Sequence, residues 1–466
     1  MKKYNLFKIL GVMILAYVVL SWLLPFGMYI FGAKDLPANE VGIISLFSVL
    51  VEAFSGFGST FLYILAVGGF YAVLDATGVY KKALNLIVKK LHGKEKLFLI
   101  ATIVILTIIS SICGLELGLF IIFPFIISVI LLMGYDNLTA LSATVGSTLI
   151  GIYGSTFAGT TYGINVQILQ GKLVDNILAK VILLVLGLGL LIFFVINHIK
   201  KNNIKPEMPK EVEKIVKEKS KRVWPLYLVI GLLFLIFILG TTSWAGIFGF
   251  NWFETAHKAW TEFKINNFDF VNKLFGGVEA LGKWNTPYRM QYYSILVLMA
   301  TVIIAIIYRV KAGDAVNAFF KGVKEYLVPA TLVVVCSSVF IMVYYYPILG
   351  TVNEWILSLS KEFNVATASV FTMLSSAFYV DYYYYAYYAM STLLNTTTDT
   401  TLYPLISVLF TNLYGLVMLI APTSMLLVAT LSITEVSYKE WFKYIWKLFV
   451  SLLIVSLIVF VIMMLI

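Results

Sequence analysis

Apolar runs with few charges recur along the whole chain of 466 residues. They lie near 9–31, 58–78, 97–113, 117–133, 140–165 and 176–198, then near 223–242, 289–310, 326–349, 365–393, 403–433 and 446–466. Most approach the ~20 residues a helix needs to cross a bilayer. The alternating pattern of an outer-membrane barrel, roughly ten residues per strand, is absent. The pattern predicts an all-α polytopic membrane protein with about 11–13 transmembrane helices.

Polar positions set the organisation. Lys and Arg cluster at 81–96, 200–222, 309–324 and 439–447. The positive-inside rule places these segments and the N-terminus in the cytoplasm of a multi-pass protein of the cell membrane. The chain then divides into an N-terminal membrane half (1–199), a basic cytoplasmic linker (200–222) and a C-terminal membrane half (223–466). A basic linker of this kind can attract anionic lipid or a partner, but a plain solvated connection is the preferred reading. The second half holds a long extracytoplasmic loop, 243–288, with Trp244, Trp252, Trp260 and Trp284 as interfacial aromatics. Parity in the last third requires 403–433 to enter and return as a hairpin.

Composition sharpens this only slightly. The chain is 61% hydrophobic and 12% charged, against about 25% charged in soluble domains, which leaves no room for a soluble enzyme domain. The net charge of +10 follows from basic cytoplasmic loops rather than from binding nucleic acid. Cys113 and Cys336 fall in apolar runs, so no disulfide framework is indicated. The first apolar run is too long for a signal-peptide core and reads as a retained span.

The halves echo each other. A shift of 264 residues brings Leu149 onto Leu413, Gly151 onto Gly415 and Thr160 onto Ser424, and carries Glu116 to within one residue of Asp381. Each half thus has an acid at the head of an apolar run and, about 30 residues later, a segment broken by Gly, Ser, Thr or Pro. Two inverted repeats with broken, hairpin-like segments are the expectation. Matching broken helices are the best sequence pointer to a secondary transporter's binding site, because freed backbone groups survive at membrane depth only where protein or a wet cavity covers them.

The first broken segment, "GSTFAGTTYGIN", offers Ser155, Thr156, Thr160, Thr161 and Asn165; the second offers Asn412, Thr423 and Ser424 around Pro422. Their oxygens suit Na⁺ or a small polar substrate, while close helix packing is the plainer reading of small residues. Glu116 and Asp381 are costly at bilayer depth and therefore functional candidates, either as proton-coupling groups or as ligands of a cation. Asp381 stands among seven tyrosines of "SSAFYVDYYYYAYYAMSTLL", which either line a pocket, with Tyr382 as the candidate, or form an aromatic belt or a compositional bias.

No phosphate loop, HExxH or GxSxG occurs, and His92, His198 and His257 are scattered. Neither a catalytic residue, a metal site nor a cofactor is expected. An ion gradient, with Na⁺ or H⁺ as the coupling ion, or a substrate gradient is the expected driving force.

The regions "LLMGYDNLTALSATVGSTLIGIYGSTFAGTTYGINVQ" and "FTNLYGLVMLIAPTSMLLVATLSITEVSYKEWFKY" resemble the signature regions of the YfcC-like branch of the four-carbon dicarboxylate anaerobic carriers, within the ion transporter superfamily. Gly134-Tyr135-Asp136, Asn412, Pro422-Thr423-Ser424, Tyr438 and Trp441 carry the resemblance. It implies an inverted-repeat carrier with two hairpin-like elements that move against a scaffold, and a dicarboxylate or amino-acid substrate. Two departures stand out: "GSTFAGT" lacks the expected proline, and "YVDYYYYAYY" replaces a small-residue turn.

No Lys or Arg falls in the hairpin segments, and two acids do. That balance favours an amino acid, basic ones such as arginine or ornithine included, carried by ion coupling or exchange. A four-carbon dicarboxylate is the alternative; a membrane-embedded enzyme or a passive channel is the alternative of another class. The expected partners are the small substrate and the bilayer, with a homodimer left open and no nucleic acid.

Overall fold

The computed structural model describes residues 4–24, 40–169, 176–217, 221–265, 268–275, 279–286, 289–395, 397 and 399–465. The tail of the first expected span (25–31), residues 218–220 of the linker, parts of the 243–288 loop and residue 466 lie outside them.

The described residues are predominantly helical because Leu, Ile, Val and Phe saturate the apolar runs and a helix satisfies its own backbone in lipid. In order come α1 (Tyr4–Leu23), α2 (Ile43–Ala76), α3 (Tyr80–Lys90), α4 (Glu95–Cys113), α5 (Phe123–Leu132), α6 (Asn137–Leu141), α7 (Ser147–Tyr153) and α8 (Gly159–Ile168). Then follow α9 (Ile177–Lys201), α10 (Lys210–Lys217), α11 (Trp224–Thr241), α12 (Trp244–Phe248), α13 (Trp252–Thr261), α14 (Phe270–Phe275), α15 (Arg289–Ile307) and α16 (Ala312–Tyr345). The last are α17 (Ile348–Ser358), α18 (Val365–Phe378), α19 (Tyr382–Tyr385), α20 (Ser391–Leu394), α21 (Tyr403–Met418), α22 (Met425–Thr434) and α23 (Tyr438–Leu465).

Among the described residues nine helices are long and apolar enough to cross a membrane, and α5, α18 and α22 are shorter apolar helices. This is fewer than the expected count of about 11–13, because the runs 117–133, 140–165, 365–393 and 403–433 are interrupted. Residues 117–133 are a short 3-10 turn and then α5, which packs on α3. Tyr135 returns to the neighbourhood of Glu95 at the start of α4. Gly114 makes the bend with φ of +69°, against Thr160 and Ala158, a conformation that favours glycine. Likewise 365–393 is a hairpin: α18 reaches a tip at Tyr379–Asp381, and the chain returns until Leu393 lies beside Phe363 and Thr367.

The stretch 403–433 does not return as a hairpin. Its end meets the start of α6, where Asn137 Nδ2 donates to Thr434 O at 3.4 Å. Its beginning meets the end of α8, where Asn165 Nδ2 donates to Ser407 Oγ at 2.9 Å. The two broken helices, α6–α8 and α21–α22, therefore run antiparallel past each other. The hairpin that parity demands is the preceding one, α18–α20.

The basic clusters gather on one face. Tyr227 Oη donates to Ala83 O at 2.7 Å, Lys221 donates to Tyr308 O, and Gly134 sits against the backbone of Lys205 and Glu207. The segment 200–222 is not merely solvated, since α10 packs on α3 and buries Val212. On the opposite side, Trp252 and Trp260 are exposed as interfacial residues would be, whereas Trp284 is buried against Gly240. Helices α15 and α16 both pack on α2, and α11 joins this group through α15. Both hairpins and both broken helices assemble beside it.

Candidate functional site

Breaks in five elements converge. Helix α2 has non-helical backbone at Phe57 (φ −111°, ψ 18°), inside the small-residue run "SGFGST". The α4–α5 hairpin turns at Gly114–Glu116, the α18–α19 hairpin turns at Tyr379–Asp381, and the broken helices restart at Gly159 and Met425. Between them lies a cavity of about 430 Å³. Its polar lining comes from Ser59, Thr60, Glu116, Thr160, Arg289 and Asp381, with Asn285 and Tyr384 alongside.

Arg289 begins α15, and its Nη2 donates to Asp381 Oδ2. The side chains retain 12% and 16% exposure respectively, so both still touch the cavity. The other Asp381 oxygen, Oδ1, accepts from Tyr383 N at 2.9 Å and caps α19. Glu116 lies within electrostatic reach of both charges, and the Tyr414 hydroxyl lies beside it. Thr160 Oγ1 donates to Asn285 Oδ1 at 3.3 Å, and Asn285 Nδ2 donates to Thr241 O.

The starts of α8 and α22 complete the electrostatics. Each helix has ten residues, and neither start is capped by a side chain. Thr160 and Met425, in their first turns, line the cavity. Uncapped first-turn N–H groups and the positive end of the helix dipole favour an anion.

Of the eleven residues selected from sequence, Glu116, Thr160 and Asp381 line this cavity. The others lie in the packing behind it. Ser155 Oγ pairs with Thr161 Oγ1 at 2.7 Å, and Thr156 N donates to Ser111 O at 3.0 Å. Thr423 Oγ1 donates to Ala377 O at 2.6 Å, which ties the second break to the second hairpin as Thr156 ties the first. Asn165, Tyr382 and Thr411 form one buried network, with Tyr382 Oη donating to Asn165 Oδ1 at 2.8 Å. Asn412 Nδ2 donates to Tyr153 O at 2.9 Å, while Asn412 Oδ1 and Ser424 Oγ are buried with no partner among the described residues.

Sequence reasoning missed Arg289, Asn285 and the Phe57 kink. Signals existed for two of them. "SGFGST" has the same Gly, Ser and Thr content as the breaks that were selected. Arg289 is a cation at the N-terminal, positive end of an apolar helix, an arrangement that calls for a nearby anion.

Comparison with known proteins follows this geometry. A curated protein of Haemophilus influenzae, described as uncharacterised, is 24% identical over 168 residues, which is 36% of this chain; the match spans 33% of that relative's length. The crystal structure of the Alcanivorax borkumensis YdaH transporter, described as having an unusual topology, aligns over 98% of this chain and 97% of its own. The identity there is 15% and the TM-score 0.39. The family model DcuC, C4-dicarboxylate anaerobic carrier, matches residues 4–465. The chain is thus a multi-pass membrane protein that belongs to the DcuC C4-dicarboxylate anaerobic carrier family.

Proposed function

We propose that this protein is a secondary active transporter that carries a small carboxylate-bearing metabolite, with a four-carbon dicarboxylate as the preferred substrate. The observation that carries this reading is Arg289 beside two uncapped helix starts in one cavity. A guanidinium offers a planar fork of donors suited to a carboxylate, and the helix ends offer a second anionic subsite. The family's description points to the same substrate class. The preference for an amino acid rested on the lack of Lys or Arg in the hairpins, and Arg289 enters the cavity from another element.

A dianion beside Glu116 and Asp381 requires cations to balance it, so Na⁺ or H⁺ accompanies it. The two halves act as inverted repeats, their hairpin tips closing on the substrate from opposite sides. The basic face and the N-terminus are cytoplasmic, and the cavity lies toward the face that carries 243–286. A second reading, an amino acid with its amine beside Glu116, is favoured by the excess of acid over base in the cavity.

Currents from proteoliposomes on a supported membrane test both. Succinate and fumarate are expected to give saturable currents that depend on Na⁺ or pH. Currents with arginine or ornithine alone would replace the first reading by the second. Non-saturating flux would leave a channel.

A further inference from the structure

We propose that the substrate's carboxylate takes the place of Asp381 on Arg289, so that Asp381 is an internal competitor that holds the empty site. The inference rests on the carboxylate-carrier reading above and adds the residue that gates it.

Three observations support the exchange of partners. First, the pair straddles two groups of helices: Arg289 begins α15, which packs on α2 and α11, while Asp381 is at the tip of α18–α19. Second, both side chains remain open to the cavity, so an incoming carboxylate reaches the guanidinium without unfolding anything. Third, Asp381 does not depend on Arg289 alone. Its Oδ1 already accepts from Tyr383 N at 2.9 Å at the positive end of α19. An Asp released by Arg289 therefore keeps a hydrogen bond and a favourable dipole.

Electrostatics opposes the simpler arrangement, in which Arg289 holds Asp381 and the substrate together. Glu116 faces the same space, and adding a carboxylate to two acids around one cation at low dielectric is costly. Exchange removes one of those acids from Arg289 as the ligand arrives. It also unties the α18–α19 tip from α15, so occupancy of the site and freedom of that hairpin become one event. Asp381 is here a specificity-determining and gating residue: only a group that outcompetes a carboxylate for Arg289 opens the site.

The direction of an affinity change tests this. Succinate binding would be measured by titration calorimetry on purified protein for wild type, Asp381→Asn, Asp381→Ser and Asp381→Glu. Asn and Ser both cap helices well but carry no charge. If the competing pair occupies the site about nine-tenths of the time, its removal tightens apparent binding about tenfold. Asp381→Glu is expected to stay within about threefold of wild type, because the competitor remains. Weaker or unchanged succinate binding in both neutral variants would overturn the exchange and make Asp381 a residue that only positions Arg289. Damage to the fold also weakens binding, so tightening cannot arise from it. Failure of wild type to bind succinate or fumarate would instead remove the carboxylate-carrier reading itself.

Discussion

The Tyr63 hydroxyl donates to Gly118 O at 2.8 Å and accepts from Ile121 N at 3.2 Å. Tyr71, two turns along the same helix, donates to Ile121 O at 2.6 Å. Through these bonds α2 holds the 3-10 turn that follows Glu116. That turn stands where a continuous helix is interrupted, and α2 supplies further hydrogen-bond partners for its backbone.

Tyr63→Phe therefore removes two buried hydrogen bonds, one to the Gly118 carbonyl and one from the Ile121 N–H. The expected cost is about 1–2 kcal/mol, since hydrogen bonds inside membrane proteins contribute modestly. Thermal unfolding in detergent would read it as a lower midpoint. An unchanged midpoint would mean that water reaches the turn.

Arg289→Gln is expected to reduce dicarboxylate uptake about 100-fold, because the fork of charge-assisted donors is lost. Arg289→Lys keeps a point charge without the fork and should fall between Gln and wild type. Initial rates in proteoliposomes rank the three. Equal activity of Lys and Arg would argue against fork recognition.

Asp136 caps α6 through Thr139 N at 2.9 Å and meets His198 Nε2 at 2.9 Å. Burial pushes its carboxyl up, but the hydrogen bonds from His198 and Thr139 outweigh this and hold it below its ordinary value of 3.8. A depressed value means that the stabilisation is present above about pH 4 and is lost as pH falls through the folded-state value. Asp136→Ala is expected to cost about 1 kcal/mol near neutrality and to reduce the steepness of the acid limb in a thermal-unfolding series.

Gly415 lies against the backbone of Tyr153, where a Cβ would overlap main-chain atoms that cannot step aside. Gly415→Ala should cost about 1–3 kcal/mol or more, read as loss of a monodisperse peak and a lower unfolding midpoint. Gly189→Ala is the control, since nothing lies within 4 Å of its Cβ position. In the interior of α9 it should be neutral or stabilise by up to about 1 kcal/mol.

Much of the site could be read locally. Glu116 and Asp381 were found because an acid within an apolar run is conspicuous, and the shift of 264 residues that relates them follows from chain positions alone. The breaks at 154–158 and 419–424 were found because glycine, hydroxyl residues and Pro422 interrupt long helices. The roles of Asn165 and Tyr382 could not be read in this way. Both look like pocket residues in sequence, yet each satisfies the other behind the cavity. Whether a buried hydroxyl meets a ligand or a neighbour depends on which helix lies opposite, and local pattern does not contain that.

What the sequence by itself determined is the helical membrane class, the position of the breaks and the two intramembrane acids. These follow from hydropathy, from backbone preferences of single residues and from the cost of charge in lipid, all of which act over a few turns. Only the tertiary structure decided that 403–434 crosses without returning, and that Arg289 reaches Asp381 from 92 positions away in the chain. Both depend on how helices pack against one another, and packing brings together groups whose separation in sequence carries no trace of their meeting. The lone acid among the tyrosines is unpaired along the chain and paired in the fold.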